Sequence, residues 1–190
     1  MIWTPTRHTP RRWRHTVIKS IAAAAALLTV AIAAPAMAQS ASTTGSGSIT
    51  VIRPLTITKN ADLKFGTVVR PATGAGTVTV SAAGARSVAG GVVGLSSGDT
   101  PQAAQFTVDG EGGQSISVTV PGTFSIANGS DTLTVTTSNN LIGSAAAQTL
   151  SNALGAAGSL SFKVGGSVPV NSTSPTGVYT GTFTVSAAYN

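Results

Sequence analysis

The sequence predicts an all-β sandwich, on three observations. From Ile49 onward, short runs of alternating apolar and polar residues are separated by Gly, Pro, Asn or Asp, the spacing of strands and turns in sheet proteins. The last fourteen residues, Gly177 to Asn190, set Tyr179, Gly181, Phe183, Val185, Ala187 and Tyr189 against Thr180, Thr182, Thr184, Ser186 and Ala188. That period of two gives one apolar face and one hydroxyl-rich face. A helical period is nearly absent: only Leu141–Gly158 is Ala-rich enough for a short helix, and its Gly143, Gly155 and Gly158 suit a loop with a helical turn equally well.

Taken in order, the chain opens on a different kind of segment. Arg7, Arg11, Arg12, Arg14 and Lys19 precede an apolar run from Ile21 to Ala34, and Pro35-Ala36-Met37-Ala38 supplies small residues at cleavage-type positions. This is the pattern of a secretory signal peptide over residues 1–38, cut before Gln39. The run is shorter than the roughly 20 residues that span a bilayer, so no stable membrane insertion is expected after cleavage. Trp13-Arg14-His15 after the arginine pair is not the apolar pair of a twin-arginine signal, which favours export of an unfolded chain.

Taking 38 of the 190 residues away leaves 152 and removes five of the 11 basic side chains, so 6 basic face 5 acidic and the net charge falls from +6 to +1. The basic character belongs to the leader and says nothing of nucleic acid. Both Trp and both His leave too, and Cys is absent throughout. What remains lacks imidazole and thiol, the groups most used for proton transfer, nucleophilic attack and transition-metal binding. Its low charge puts little long-range repulsion between neighbouring copies.

Residues 39–48, Gln-Ser-Ala-Ser-Thr-Thr-Gly-Ser-Gly-Ser, bury little and are expected to form a flexible extension ahead of a domain over residues 49–190. Strands are expected at 49–58, 63–70, 76–82, 88–94, 103–108, 115–120, 124–127, 132–137, 159–164, 167–170 and 178–189. Val78 and Val80 alternate with Thr77 and Thr79, and Ile116, Val118 and Val120 with Ser117 and Thr119. Asp109-Gly110-Glu111-Gly112-Gly113 and Asn128-Gly129-Ser130-Asp131 are expected as hairpin turns. No equal-period repeat supports a solenoid.

Chemistry-bearing constellations are few. Asp109 with Glu111 supplies too few oxygens for calcium. Asn128-Gly-Ser130 and Asn171-Ser-Thr173 match the glycosylation pattern, yet suit solvent-facing turns behind a bacterial-type leader. A carboxylate-pair hydrolase needs two of Asp62, Asp99, Asp109, Glu111 and Asp131 to converge, and most of these lie in or beside apparent turns. No phosphate cradle and no basic-aromatic face occurs. No catalytic residue, cofactor or metal site is expected.

Three stretches, Ile52 to Gly66, Gly76 to Arg86 and Phe162 to Gly166, together with the ending Gly177-Val-Tyr-Thr-Gly-Thr-Phe-Thr-Val-Ser-Ala-Ala-Tyr-Asn190, resemble the secreted bacterial family catalogued as domain of unknown function 4402. The ending also resembles spore coat protein U domains and chaperone–usher pilus subunits, including the common-pilus type. These resemblances imply an immunoglobulin-like, pilin-like antiparallel sandwich lacking one strand, completed by an N-terminal extension of a neighbouring subunit. They imply as partners the chain itself or related subunits, a periplasmic chaperone and an outer-membrane usher, and imply a place at the cell surface. The absence of Cys departs from the cysteine pair of many pilins.

Residues and resemblance converge on β-strand addition, in which backbone bonds give affinity and alternate side chains fill pockets. The expected pairing strand presents Tyr179, Phe183, Val185 and Tyr189. The candidate donor presents Ala41, Thr43, Gly45, Gly47, Ile49 and Val51, of which only Ile49 and Val51 carry large apolar groups. Extending it to Ile57 adds apolar groups but consumes the domain's own first strand. The expected function is a non-catalytic subunit of a surface fimbria or coat. A self-complete secreted adhesin or binding module is the alternative, and a carboxylate hydrolase a further one.

Overall fold

The computed structural model describes residues 39–190 apart from Ser144 and Ala146; the expected signal peptide, 1–38, lies outside the described residues. Two units are distinguished, one ending at Gly47 and one spanning Ser48–Asn190. In the first, residues 39–47 are exposed and form no strand.

The second unit is all-β, with no helix among the described residues. Its strands are β1 (Thr56–Ala61), β2 (Val68–Val69), β3 (Ala75–Val80), β4 (Arg86–Ala89), β5 (Val93–Gly94), β6 (Ala104–Glu111), β7 (Ser115–Thr119), β8 (Thr123–Asn128), β9 (Asp131–Asn139), β10 (Gln148–Thr149), β11 (Ala157–Asn171) and β12 (Ser186–Tyr189). All pairings are antiparallel.

One long strand organises the rest. β11 pairs β6 from Ala157 to Val164, then β3 from Gly166 to Asn171 and β9 from Val164 to Ser167. The two separate strands expected over 159–164 and 167–170 are therefore one. Gly165 and Gly166 sit at the changeover, where a Cβ on Gly165 would strike the backbone of Val80, Ser81 and Ala82. Small residues permit this close approach; a side chain would force the strands apart.

The strand changeover divides the interior. One core cluster joins Phe106 and Val108 of β6 and Phe162 of β11 to Ile116 and Val118 of β7, so that β1–β6–β11 faces the three-stranded β10–β7–β12 sheet. A second joins Val78, Val135, Val168 and Val170, with Leu63, Phe65 and Phe124 packed against it. The alternation of Val78 and Val80 with Thr77 and Thr79 is realised: the valines are buried, and Thr79 shares a 3.0 Å hydroxyl hydrogen bond with Ser167.

Several expected boundaries move. Residues 49–55 form no strand, and 63–70 contains only β2. Among its described residues the Ala-rich stretch Leu141–Gly158 holds turns, β10 and the first two residues of β11. The Asn128–Asp131 turn forms as expected, with Gly129 at φ 62° joining β8 to β9. At Asp109–Gly113, β6 instead continues through Glu111, and the turn begins one residue later.

Candidate functional site

The segment ending the sequence keeps its alternation but not its ladder. Tyr179, Phe183, Ala187 and Tyr189 are half-buried and Val185 buried, while the even positions are exposed. Only Ser186–Tyr189 pairs with β7. At the other end, Thr180 and Ala127 exchange backbone hydrogen bonds of 2.8 and 2.9 Å. Between these anchors, no backbone hydrogen bond from the described residues reaches Gly181–Val185. These five residues thus carry no ladder, with Gly181 lying against the Ser125 carbonyl and Ile126 of β8; backbone left without a ladder is the template on which another strand adds.

Beside this edge lies a cleft of about 680 Å³, walled by Leu63–Val68 on one side and Gly177–Phe183 on the other. Its floor, including Val78, Phe106, Phe124 and Val168, draws on both core clusters. Phe183 links the edge to that floor: its ring lies edge-on to Phe106 at 5.9 Å and tilted against Phe124 at 4.8 Å. Phe106 in turn stacks on Phe162 at 5.6 Å. Such aromatic contacts hold an edge in place without a ladder.

The opposite wall is pinned by Arg86. Its guanidinium donates to the carbonyls of Phe65 (3.3 Å), Thr67 (3.1 Å) and Leu95 (2.7 Å), tying β4 to a stretch with little ladder of its own. Ion pairs Lys59–Asp62 (2.6 Å) and Lys64–Asp99 (3.4 Å) also border the cleft. The hydrogen bond from Lys59, then its charge, holds the Asp62 carboxyl below its ordinary range.

A polar junction fixes the far end of the edge. The Tyr189 hydroxyl accepts from the Glu111 N–H at 2.7 Å and donates to the Arg53 carbonyl at 2.8 Å. Glu111, 2% exposed, accepts from the Gly155 N–H, from Arg53 Nη1 at 2.9 Å and from the Arg53 N–H at 3.3 Å. The Gly155 bond first, then those from Arg53 and its charge, outweigh burial and hold the Glu111 carboxyl below its ordinary value. Arg53, where the chain enters the domain, and Tyr189 are thereby locked to the end of β6.

The family described as domain of unknown function (DUF4402) matches residues 55–189. The chain belongs to this family. No curated protein and no solved structure matches it.

In this DUF4402 domain the expected pairing residues divide by role. Tyr179 and Phe183 line the cleft, Val185 enters the first core cluster, and Tyr189 makes the polar junction. Of the candidate donor, Ala41, Thr43, Gly45 and Gly47 are exposed. Ile49 and Val51 are 86% and 82% exposed. The longer donor through Ile57 is not free, because Thr56–Ala61 is already laddered to β6.

The DUF4402 cleft is also lined by Leu63, Phe65, Phe124 and Ile126, and its wall is tied down by Arg86. The alternation of Leu63 with Phe65 and of Phe124 with Ile126 marked inward faces, but nothing local showed that those faces meet. Among the carboxylates, Asp109 is exposed while Glu111 is occupied by its three donors. Among the described residues no three His, Cys, Asp or Glu side chains gather as a metal site, and no helix is long and apolar enough to cross a membrane.

Proposed function

We propose that this DUF4402 chain is a non-catalytic structural subunit of a bacterial surface fimbria or coat, joined to its neighbours by β-strand addition. The observation carrying the proposal is the unpaired backbone of Gly181–Val185 beside an open apolar cleft, in a chain whose Ile49 and Val51 stand in solvent. An added strand supplies the missing ladder, and its alternate side chains fill the cleft.

Chain length favours a second copy as the donor. Arg53 is held at Glu111, five residues along β6 from the cleft residue Phe106, a span of about 17 Å. Val51 lies two residues from Arg53, a reach of about 7 Å. A copy's own Val51 falls short of its own cleft. Donor and acceptor are then different surfaces, a heterologous contact that can repeat without closing.

Export through the periplasm to the cell surface belongs to the same proposal. The leader-like residues 1–38 support it, as does the resemblance of the ending to pilus subunits. On this reading a periplasmic chaperone covers the edge before assembly, and an outer-membrane usher directs the exchange. The test compares the chain from Gln39 onward with a form lacking residues 39–51. The parent is expected to give a ladder of multimers in detergent that collapses on boiling, and the shortened form only monomers. Full assembly of the shortened form overturns the proposal. A parent that is a stable monomer with a two-state melt turns the function toward a self-complete binding module.

A further inference from the structure

We propose a second contact between successive copies, in which Val178 of one subunit seats against Ile52 and Leu154 of the next. The inference rests on the strand-addition reading and follows from the tether it requires. Arg53 is fixed to its own domain by the bonds of its side chain to Glu111 and Gly155 and of its carbonyl to Tyr189. If Val51 occupies a neighbour's cleft, only Ile52 separates the two domains. Two residues of extended chain span about 7 Å, so the surface around Arg53 abuts the neighbour's cleft with no linker between them.

That surface has a shape to receive a side chain. In the single copy a groove of about 350 Å³ is lined by residues 50–53, Glu111, Leu154 and Gly155; Thr50 and Val51 leave it when they enter a neighbour's cleft, which uncovers Ile52 and Leu154 further. Leu154 is 58% exposed there, and Ile52 is also exposed. The fixed Arg53–Glu111 pair closes one side, leaving Ile52 and Leu154 as its apolar groups.

The two ends of the cleft border differ in chemistry. At the end nearer β1 stands the Lys59–Asp62 ion pair. At the other stands Val178, 79% exposed beside Gly177. Ile52 and Leu154 set against Lys59 and Asp62 would strip water from charges without pairing them, which is costly. Meeting Val178, it buries apolar area on both sides. The donor therefore leaves the cleft at the Val178 end, bringing Val178 over the groove of the donating copy. A large aliphatic side chain standing in solvent beside the cleft thereby acquires a partner.

The chain has no native cysteine, so an engineered pair reports this contact directly. A disulfide forms only when the two Cα atoms come within about 7 Å. The full-length chain carrying both Leu154→Cys and Val178→Cys, both exposed positions, is expressed, and its assembled material is treated with a mild oxidant. The expected result is a ladder that survives boiling in detergent and collapses with reductant. Leu154→Cys with Asp62→Cys is expected to give no such ladder. A covalent ladder from that second pair instead means that the donor leaves at the charged end and overturns the contact. Multimers that assemble but fall apart on boiling despite oxidation overturn the contact and leave strand addition standing. Absence of multimers even from the parent chain overturns both.

Discussion

Ile49 and Val51 offer a perturbation that separates assembly from folding. Because they are 86% and 82% exposed in the single copy, truncating both to alanine removes almost no contact within it. Its melting behaviour should stay within about 0.5 kcal/mol of the parent, as for surface changes generally. On the strand-addition reading the same side chains lie in a neighbour's cleft. Ile→Ala deletes three carbons and Val→Ala two, and at about 0.8 kcal/mol per buried CH₂ the joint loss is about 4 kcal/mol. Since about 1.4 kcal/mol is a factor of ten in an equilibrium constant, subunit association should weaken roughly a thousandfold. Analytical ultracentrifugation of the chain from Gln39 onward, run as a concentration series beside a thermal melt, measures both quantities. Unchanged association of the double variant would show that these side chains do not enter the cleft. An earlier melt of the single copy would show that they pack on their own domain.

Three further outcomes test the fold that positions the cleft. Tyr189→Phe leaves the Glu111 N–H and the Arg53 carbonyl without their shared hydroxyl; the expected loss is about 1–3 kcal/mol, read as a lower melting temperature. Gly165→Ala places a Cβ against the backbone of Val80, Ser81 and Ala82, and should destabilise by about 1–3 kcal/mol through overpacking, measured by urea unfolding. Glu111 sets a pH dependence: its folded carboxyl titrates below its ordinary value near 4.5. Its contribution is therefore complete above that value and is lost as pH falls from there through the folded pKa. Melting temperature should drop on acidification across that window, with a shallower drop in Glu111→Gln; equal slopes would refute the role given to its bonds.

The inward faces of the strands were legible in the sequence, while the partners of those strands were not. A period of two is local, so Phe183 and Val185 could be placed on the apolar side from their neighbours alone. Pairing depends on distant segments. The same alternation covers residues 181–185 and 186–189, yet only the latter meets β7 in register. Gly165-Gly166 falls between the strands expected at 159–164 and 167–170; in the fold it lets one strand pass close to Val80. In sequence, the glycines around Glu111 mark a turn. Its partner Arg53 lies 58 positions away, and no pattern in a short window shows a buried ion pair of that separation. The cleft was hidden for the same reason, since its walls come from stretches more than a hundred residues apart.

The manner in which this fold treats its other edges gives the unpaired one its meaning. Free strand edges invite pairing, and proteins blunt them with charge, bulges or short length. Edge strand β1 carries Lys59 and a register shift before Ala61. Edge strand β4 is four residues long and opens on Arg86. From Gly177 to Asn190 there is neither a charged side chain nor a proline, and no register shift interrupts the pairing at Ser186–Tyr189. Its outward positions carry Thr182 and Thr184, hydroxyls that sit readily in an interior strand. Ser186–Tyr189 is as short as β4, but Gly181–Val185 ahead of it carries neither charge nor bulge beside the open cleft. The composition of this segment is that of a central strand, and a strand added at Gly181–Val185 makes it one.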